Sequence, residues 1–349
     1  MVEKPPRRKL SGAARTLVWI ALLAGGYYAL GLLALQEEIG GVETRLLWAP
    51  TGLSLAALLY LGPRVWPGIW FGSMLINVSL ERPIVPSFLI ATGTTVGLLC
   101  AYWLMRRAGF RNEIDRVRDV LALIGLGAGL GMAIGVTLNT TVLTTYGIGV
   151  PLEYLPRWFD VWTYFALGVL VGTPIFLVLW QVFPIRRIRL LRAIEAVALL
   201  GCTVLAALLA TNSAQHPFYL VFPVMIWAGL RFGLPMVAPC AVVASTMVIV
   251  AAEQGHEAFA GESGIPREAL IQAFIASLTL TGMVLSAAIR QRDAAHAEVE
   301  RTATELVGVI HQLDRRLRPR ITPPRRAAES LRSPPELTPG PRGRDPTTQ

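Results

Sequence analysis

The chain has 349 residues, of which 53% are hydrophobic and only 16% charged, against about 25% charged in a typical soluble domain. A mean hydropathy of +0.52 excludes an ordinary soluble globule. The net charge of +9 would suit nucleic acid, but the basic residues sit at the ends of apolar blocks and in the terminal tails, which argues against a nucleic-acid partner.

The apolar residues gather in blocks of roughly 15 to 25, the length that crosses a hydrocarbon layer about 30 Å thick. Lipid offers the backbone no hydrogen bonds, so each block must be a helix. In chain order the spans are Thr16–Leu35, Leu46–Leu61, Val65–Leu80, Ser87–Leu104 and Val120–Leu143, then Val161–Phe183, Ala193–Ala210, Pro217–Leu230, Leu234–Ala252 and Leu270–Ala288. A basic stretch precedes the first block and no small-residue cleavage site closes it, so that span is expected to be retained. The expectation is an all-α polytopic membrane protein with about ten (eight to ten) transmembrane helices. Eight would mean that one of the short hairpins, turning at Arg64 and at Arg231, is re-entrant.

Lys and Arg favour the cytoplasmic side of a membrane. With the N-terminus inside, 28 of the 32 basic residues fall in inner segments, and only Arg45, Arg82, Arg157 and Arg267 fall outside. Both termini are therefore expected in the cytoplasm. The two hairpins are faintly alike: Trp48-Ala-Pro-Thr-Gly running to Leu61-Gly62-Pro63-Arg64, and Phe222-Pro223 running to Leu230-Arg231-Phe232-Gly233. A duplication would be of the parallel kind, although Gly, Pro and one Arg also suit any short cytoplasmic turn.

Little chemistry shows within the spans. Ionisable residues at mid-membrane are costly and usually functional, and Asp160 and Glu195 lie near span ends. Asn77, Thr94, Thr95, Asn139, Thr140 and Thr141 are polar but uncharged, the type that hydrogen-bonds between helices. Cys100, Cys202 and Cys240 read as small buried hydrophobes, with no disulfide framework implied. His216 and His256 read as loop histidines. Neither a nucleophile–base pair nor a phosphate loop is evident, so no catalytic residue, metal or cofactor is expected. The candidate ligand-binding residues are Trp48, Pro50, Thr51, Gly52, Asn77 and Asn139. Pro50 and Gly52 would break regular hydrogen bonding near the start of a span and let a neighbour approach. Trp66, Trp158 and Trp162 suit the membrane interface.

Several of these pieces recur together in one known family. Trp48-Ala-Pro-Thr-Gly52, Leu61-Gly62-Pro-Arg64, Trp66-Pro67-Gly68 and Phe71-Gly72 are similar to the opening signature of the MASE-one (MASE1) membrane-associated sensor domains of bacteria. Ala101–Arg107 with Gly109-Phe110 and Asn112–Asp119 resembles that family's cytoplasmic loop. Ala166–Leu170 with Pro174 resembles a later span, and Phe222-Pro223, Trp227 and Leu230–Gly233 its near-final hairpin. The resemblance covers roughly residues 16–290 and implies a signal input domain in a bacterial cytoplasmic (inner) membrane. It departs at Tyr164-Phe165, where relatives often carry Gly-Asp; if that acidic residue serves recognition, this chain recognises something else, or nothing.

Beyond Ala288 the pattern turns polar but stays helical. Val299, Ala303, Leu306, Ile310, Leu313 and Leu317 are spaced 4, 3, 4, 3, 4, a heptad seam. A short cytoplasmic coiled-coil helix is expected, pairing two copies as a homodimer. His311-Gln312-Leu313 resembles the phosphoacceptor box of histidine kinases, but Gln312 replaces the acidic residue and the segment that follows is too short for an ATP-binding lobe. An ordinary stalk histidine is the expectation. From Pro319 the composition is Pro, Arg, Ser and Thr, which cannot build a core.

The organisation is thus a basic N-terminus (1–15), a membrane domain (16–288), a coiled-coil helix (289–318) and a Pro/Arg-rich tail (319–349). The functional expectation is a membrane sensor domain without catalytic output of its own, acting by dimerisation or through a separate histidine kinase or diguanylate cyclase, with membrane lipid around it. The alternatives are a transporter or substrate-binding subunit for a small, largely neutral ligand, and a membrane scaffold.

Overall fold

In a computed structural model, residues 12–35, 38–39, 42–43, 46–149, 153–182, 190–212, 218–254 and 267–317 are described. The chain divides into two compact units, Met1–Ala294 and Ala295–Gln349. Apart from a two-residue antiparallel ladder, β1 (Glu38–Ile39) with β2 (Val42–Glu43), the described residues are helical or in turns. The helices are α1 (Gly12–Ala34), α2 (Ala49–Leu61), α3 (Trp66–Ser79), α4 (Ile84–Arg107), α5 (Val117–Ala122) and α6 (Met132–Thr145). They continue as α7 (Tyr154–Leu167), α8 (Thr173–Val182), α9 (Leu190–Asn212), α10 (Val221–Arg231), α11 (Leu234–Glu253) and α12 (Arg267–Leu317). Two π-helical stretches, Leu123–Gly131 and Gly168–Gly172, join α5 to α6 and α7 to α8.

Five of these helices (α1, α4, α9, α11 and α12) and the two joined stretches Val117–Thr145 and Tyr154–Gln181 are long and apolar enough to cross a membrane. Each lies over one of the apolar blocks, and α12 runs on well past its block, to Leu317. The remaining apolar helices, α2, α3 and α10, are short. At 1.5 Å per residue, the 13 residues of α2 reach only about 20 Å, less than the roughly 30 Å of hydrocarbon. Such a helix is tolerable only when protein covers it, and α2 is covered. Pro50, Thr51, Gly52, Ser54 and the run Leu55–Leu59 are all buried. It packs against α1, α4, α8 and the Gly168–Gly172 stretch.

The bundle closes through small residues. A Cβ on Gly97 of α4 would lie 2.7 Å from the Gly135 Cα of α6, so these backbones touch. On the other side of the unit, α9, α10 and α11 pack together. Gly282 of α12 seats against Val237 and Met225, and Phe218 meets Phe274 at 5.3 Å between ring centroids.

Both short hairpins turn on a glycine with positive φ, Gly62 (86°) and Gly233 (71°), each beside one arginine. Only glycine adopts that conformation without strain. One reading from the sequence needs correction. Cys202 is exposed, because it lies off the face by which α9 packs; Cys100 is half-buried and Cys240 buried, all three as free thiols. The Trp162 indole N–H donates to the Gly129 carbonyl (3.2 Å), inside the π-helical stretch, and its ring stacks on Trp158. His216, His256 and the tail from Pro319 lie outside the described residues.

Candidate functional site

The first turn of a helix has backbone N–H groups with no partner inside it, and in a membrane water does not supply one. The sequence Trp48-Ala-Pro-Thr-Gly answers this locally. The Trp48 N–H donates to the Tyr164 carbonyl of α7 (3.0 Å), Pro50 removes one donor, and the Thr51 N–H turns back to the Trp48 carbonyl (3.1 Å). The Thr51 hydroxyl lies 2.8 Å from the Trp48 carbonyl and 3.0 Å from that of Phe165, tying the two helices together. One turn on, Gly52 meets Gly168 and Gly172. A Cβ on Gly52 would come within 2.5 Å of the Gly172 Cα, and one on Gly168 would run into the Trp48 carbonyl.

The other end of α2 is closed in the same manner. Its last carbonyls need donors, and the Leu59 carbonyl accepts from the Arg106 guanidinium and from Asn112 Nδ2 (3.1 Å). Gln181 Nε2 in turn donates to the Asn112 carbonyl (2.9 Å). A cation at a helix C-terminus also opposes the helix dipole.

Above the N-terminus of α2 lies a small cavity of about 40 Å³, bounded by Trp48 just ahead of α2 and by residues of α1, α3, α4, α6 and α7. A water needs roughly 10–15 Å³ measured in this way, so the space holds a few waters or a compact organic molecule. Aromatic residues, Tyr27, Trp48, Tyr164 and Phe165, form one wall. Trp48 Nε1 points to the Tyr27 hydroxyl (3.3 Å). Polar groups come from α3, α4 and α6. Asn77 Nδ2 donates back to the Ser73 carbonyl (2.7 Å), and its Oδ1 accepts from Arg82 Nη1 (2.5 Å). Asn139 Nδ2 donates to Thr94 Oγ1 (2.9 Å), the bond between helices that the polar pattern suggested. Asn139 is 2% exposed, yet its Oδ1 has no hydrogen-bond partner among the described residues. Among the described lining residues, Arg82 carries the one formal charge and no carboxylate is present.

Three of the residues singled out in the sequence, Trp48, Asn77 and Asn139, therefore share one cavity although nearly a hundred positions separate the first from the last. Pro50, Thr51 and Gly52 do not line it. They form the helix joint directly beneath. Sequence reasoning missed Tyr27, Ser73 and Arg82. Tyr27 and Ser73 carry no signal in apolar blocks, whereas Arg82 was visible as an isolated arginine five residues after Asn77. Tyr164 and Phe165, noted only as a departure from a family pattern, prove to be wall residues.

The opposite end of the bundle is charged. Arg231 holds Glu195 with two hydrogen bonds, 2.6 and 3.2 Å. Beside this pair is a hollow of about 410 Å³ lined by Asp115, Leu230–Gly233, Ile289, Arg290 and Asp293. The Val117 N–H reaches Gln291 Oε1 at 3.4 Å. In the second unit, Val299, Ala303, Leu306, Ile310 and Leu313 are all exposed; the Leu317 side chain lies outside the described residues. His311 is exposed, with Nδ1 3.0 Å from the Val307 carbonyl of its own helix. Among the described residues no His, Cys, Asp or Glu cluster could hold a metal ion.

The family model MASE1 matches residues 19–293. No curated protein and no solved structure matches the chain.

Proposed function

Because the chain belongs to the MASE1 family of membrane-associated sensor domains, we propose that the cavity beneath Arg82 receives the stimulus and that the helix carrying Val299–Leu317 delivers the response to a separate cytoplasmic kinase or cyclase. Delivery is by pairing of two copies along the heptad seam, without chemistry by this chain. The termini lie in the cytoplasm of a bacterial inner-membrane protein, as the distribution of Lys and Arg favours, and the cavity opens to the far side.

The observation that carries this reading is the seam itself. Apolar residues at heptad spacing stand exposed, Val299 at 65%, Leu306 at 63% and Ile310 at 63%. A helix in water gains by covering such a stripe with a partner stripe, and confinement to a membrane raises the effective concentration for pairing. The test is oxidative cross-linking of Leu306→Cys in native membranes, with Glu305→Cys, off the seam, as control. Efficient dimer formation at 306 but not at 305 supports the reading. A monomeric protein whose signalling survives deletion of residues 289–349 overturns it.

A further inference from the structure

We propose that the hollow at the charged end of the bundle holds the headgroup of phosphatidylethanolamine, its phosphate on Arg290 and its ammonium on Asp293. The hollow shares no described lining residue with the cavity beneath Arg82, so the inference goes beyond the sensing role and stands apart from it.

The depth comes from α12. Its apolar run, Leu270–Ala288, gives way at Ile289 and Arg290, and the Leu230–Gly233 hairpin turns beside them. A helix that leaves hydrocarbon at this point enters the headgroup layer. The hollow of about 410 Å³ falls in the range of small-molecule sites. Part of its wall is apolar: Leu230 is 61% exposed, and Phe232 and Ile289 are half-buried. Such a wall suits the glycerol and the first methylenes of a lipid.

The charges select the headgroup. Among the described residues the hollow is lined by two cations, Arg231 and Arg290, and two anions, Asp115 and Asp293. Arg231 is matched by Glu195 at 2.6 and 3.2 Å, and Asp115 by Arg111 at 3.7 Å. Arg290 and Asp293 have no ion pair or hydrogen bond among the described residues. Three positions apart on one helix, they could meet each other. Instead the Arg290 guanidinium lies against the hairpin turn, where a Cβ on Gly233 would be 3.1 Å from its Nε and 3.3 Å from Nη2. One unmatched cation and one unmatched anion thus stand separately in the same hollow, and a ligand that carries both signs satisfies both. A purely anionic headgroup would be repelled by Asp293, and a simple amine or metal ion by Arg290. The ethanolamine arm sets a phosphate and a primary ammonium a short distance apart. A planar guanidinium forks onto phosphate oxygens. The ammonium donates hydrogen bonds to a carboxylate, which the fully methylated nitrogen of a choline headgroup cannot do.

The experiment is native mass spectrometry of the delipidated full chain in detergent, titrated with phosphatidylethanolamine, phosphatidylcholine and phosphatidylglycerol of identical acyl chains. The ethanolamine lipid should fill its first site about fivefold more tightly than either of the others, the discrimination that a solvent-accessible charge pair supplies at its upper end. Asp293→Asn should bring the ethanolamine and choline lipids to within about twofold of each other. Arg290→Gln should weaken both by about fivefold and leave their ratio in place. Both side chains are exposed, so the variants are expected to fold, and a ratio between lipids measured on one preparation does not depend on the fraction folded. The three lipids binding the unaltered chain within about twofold of one another overturns the proposal, as does a preference for ethanolamine that survives Asp293→Asn. Free O-phosphoethanolamine displacing the lipid at equal concentration would assign the hollow to a soluble phosphate ester and overturn the lipid as its occupant.

Discussion

At the cavity end of the bundle, helices are joined by neutral groups: Asn139 to Thr94, Trp48 to Tyr27, and the Trp48 and Thr51 backbone to the carbonyls of α7. At the opposite end the joints are charged, with Arg231 on Glu195 and Arg106 on the end of α2. The difference follows from solvent. Neutral hydrogen bonds can be buried at little cost, whereas unpaired charges cannot; Asn139 and Thr94 are buried, and the Arg231–Glu195 pair is exposed. The lesson is that the buried end is the one built to discriminate, because there a single unmatched group has a large effect.

Four variants sharpen or break this contrast. The largest effect is expected for Gly52→Leu, which drives a side chain into the backbone of Gly168 and Gly172. Overpacking of this kind costs about 1–3 kcal/mol or more, and the variant should lose its monodisperse peak after detergent extraction. Next comes the pair Arg106→Met with Asn112→Ala, which strips both side-chain donors from the Leu59 carbonyl. A loss of about 1–3 kcal/mol is expected for that orphaned group, read as a lower melting temperature. If α2 tolerates this change, the capping account of the short helix is wrong.

Asn139→Leu should be nearly silent in stability, within about 1 kcal/mol, since hydrogen bonds between membrane helices average only about 0.6 kcal/mol. A large destabilisation there would mean that Asn139 is a structural bond and not a recognition group. The smallest effect is expected for Glu195→Gln. Arg231 is well exposed in this pair, and exposed ion pairs contribute little. No resolvable change in melting temperature is expected in high salt, and a clear drop would show that the charged end is as rigid as the buried one.

Much of this arrangement was legible in the sequence. Hydropathy located the seven stretches long and apolar enough to cross a membrane, because a helix in lipid has to be apolar along its length. Trp48, Asn77 and Asn139 stood out because polar or amphipathic residues in such blocks need partners. The π-helical stretches were not legible: Leu123–Gly131 is rich in glycine, but glycine also marks ordinary close packing in membranes. Nor could the exposure of Cys202 be read, since lipid-facing and buried positions in an apolar helix have similar chemistry. The grouping of Tyr27 with Asn139 depends on tertiary packing alone. The heptad run, by contrast, was plain from Val299 to Leu317, and Val299, Leu306, Ile310 and Leu313 of it are exposed.

The brevity of α2 has one more consequence. A helix that reaches both faces of a bilayer can shift along its axis and trade one set of solvent contacts for another. This one has no such slack, since its first amide is hooked to Tyr164 and its final carbonyls to Arg106 and Asn112. A slip of one residue, about 1.5 Å, would strand a polar group at each extremity. It must travel as a bolt with the helices that grip it, so whatever nudges α7 beside the cavity pulls equally on the loop that follows α4.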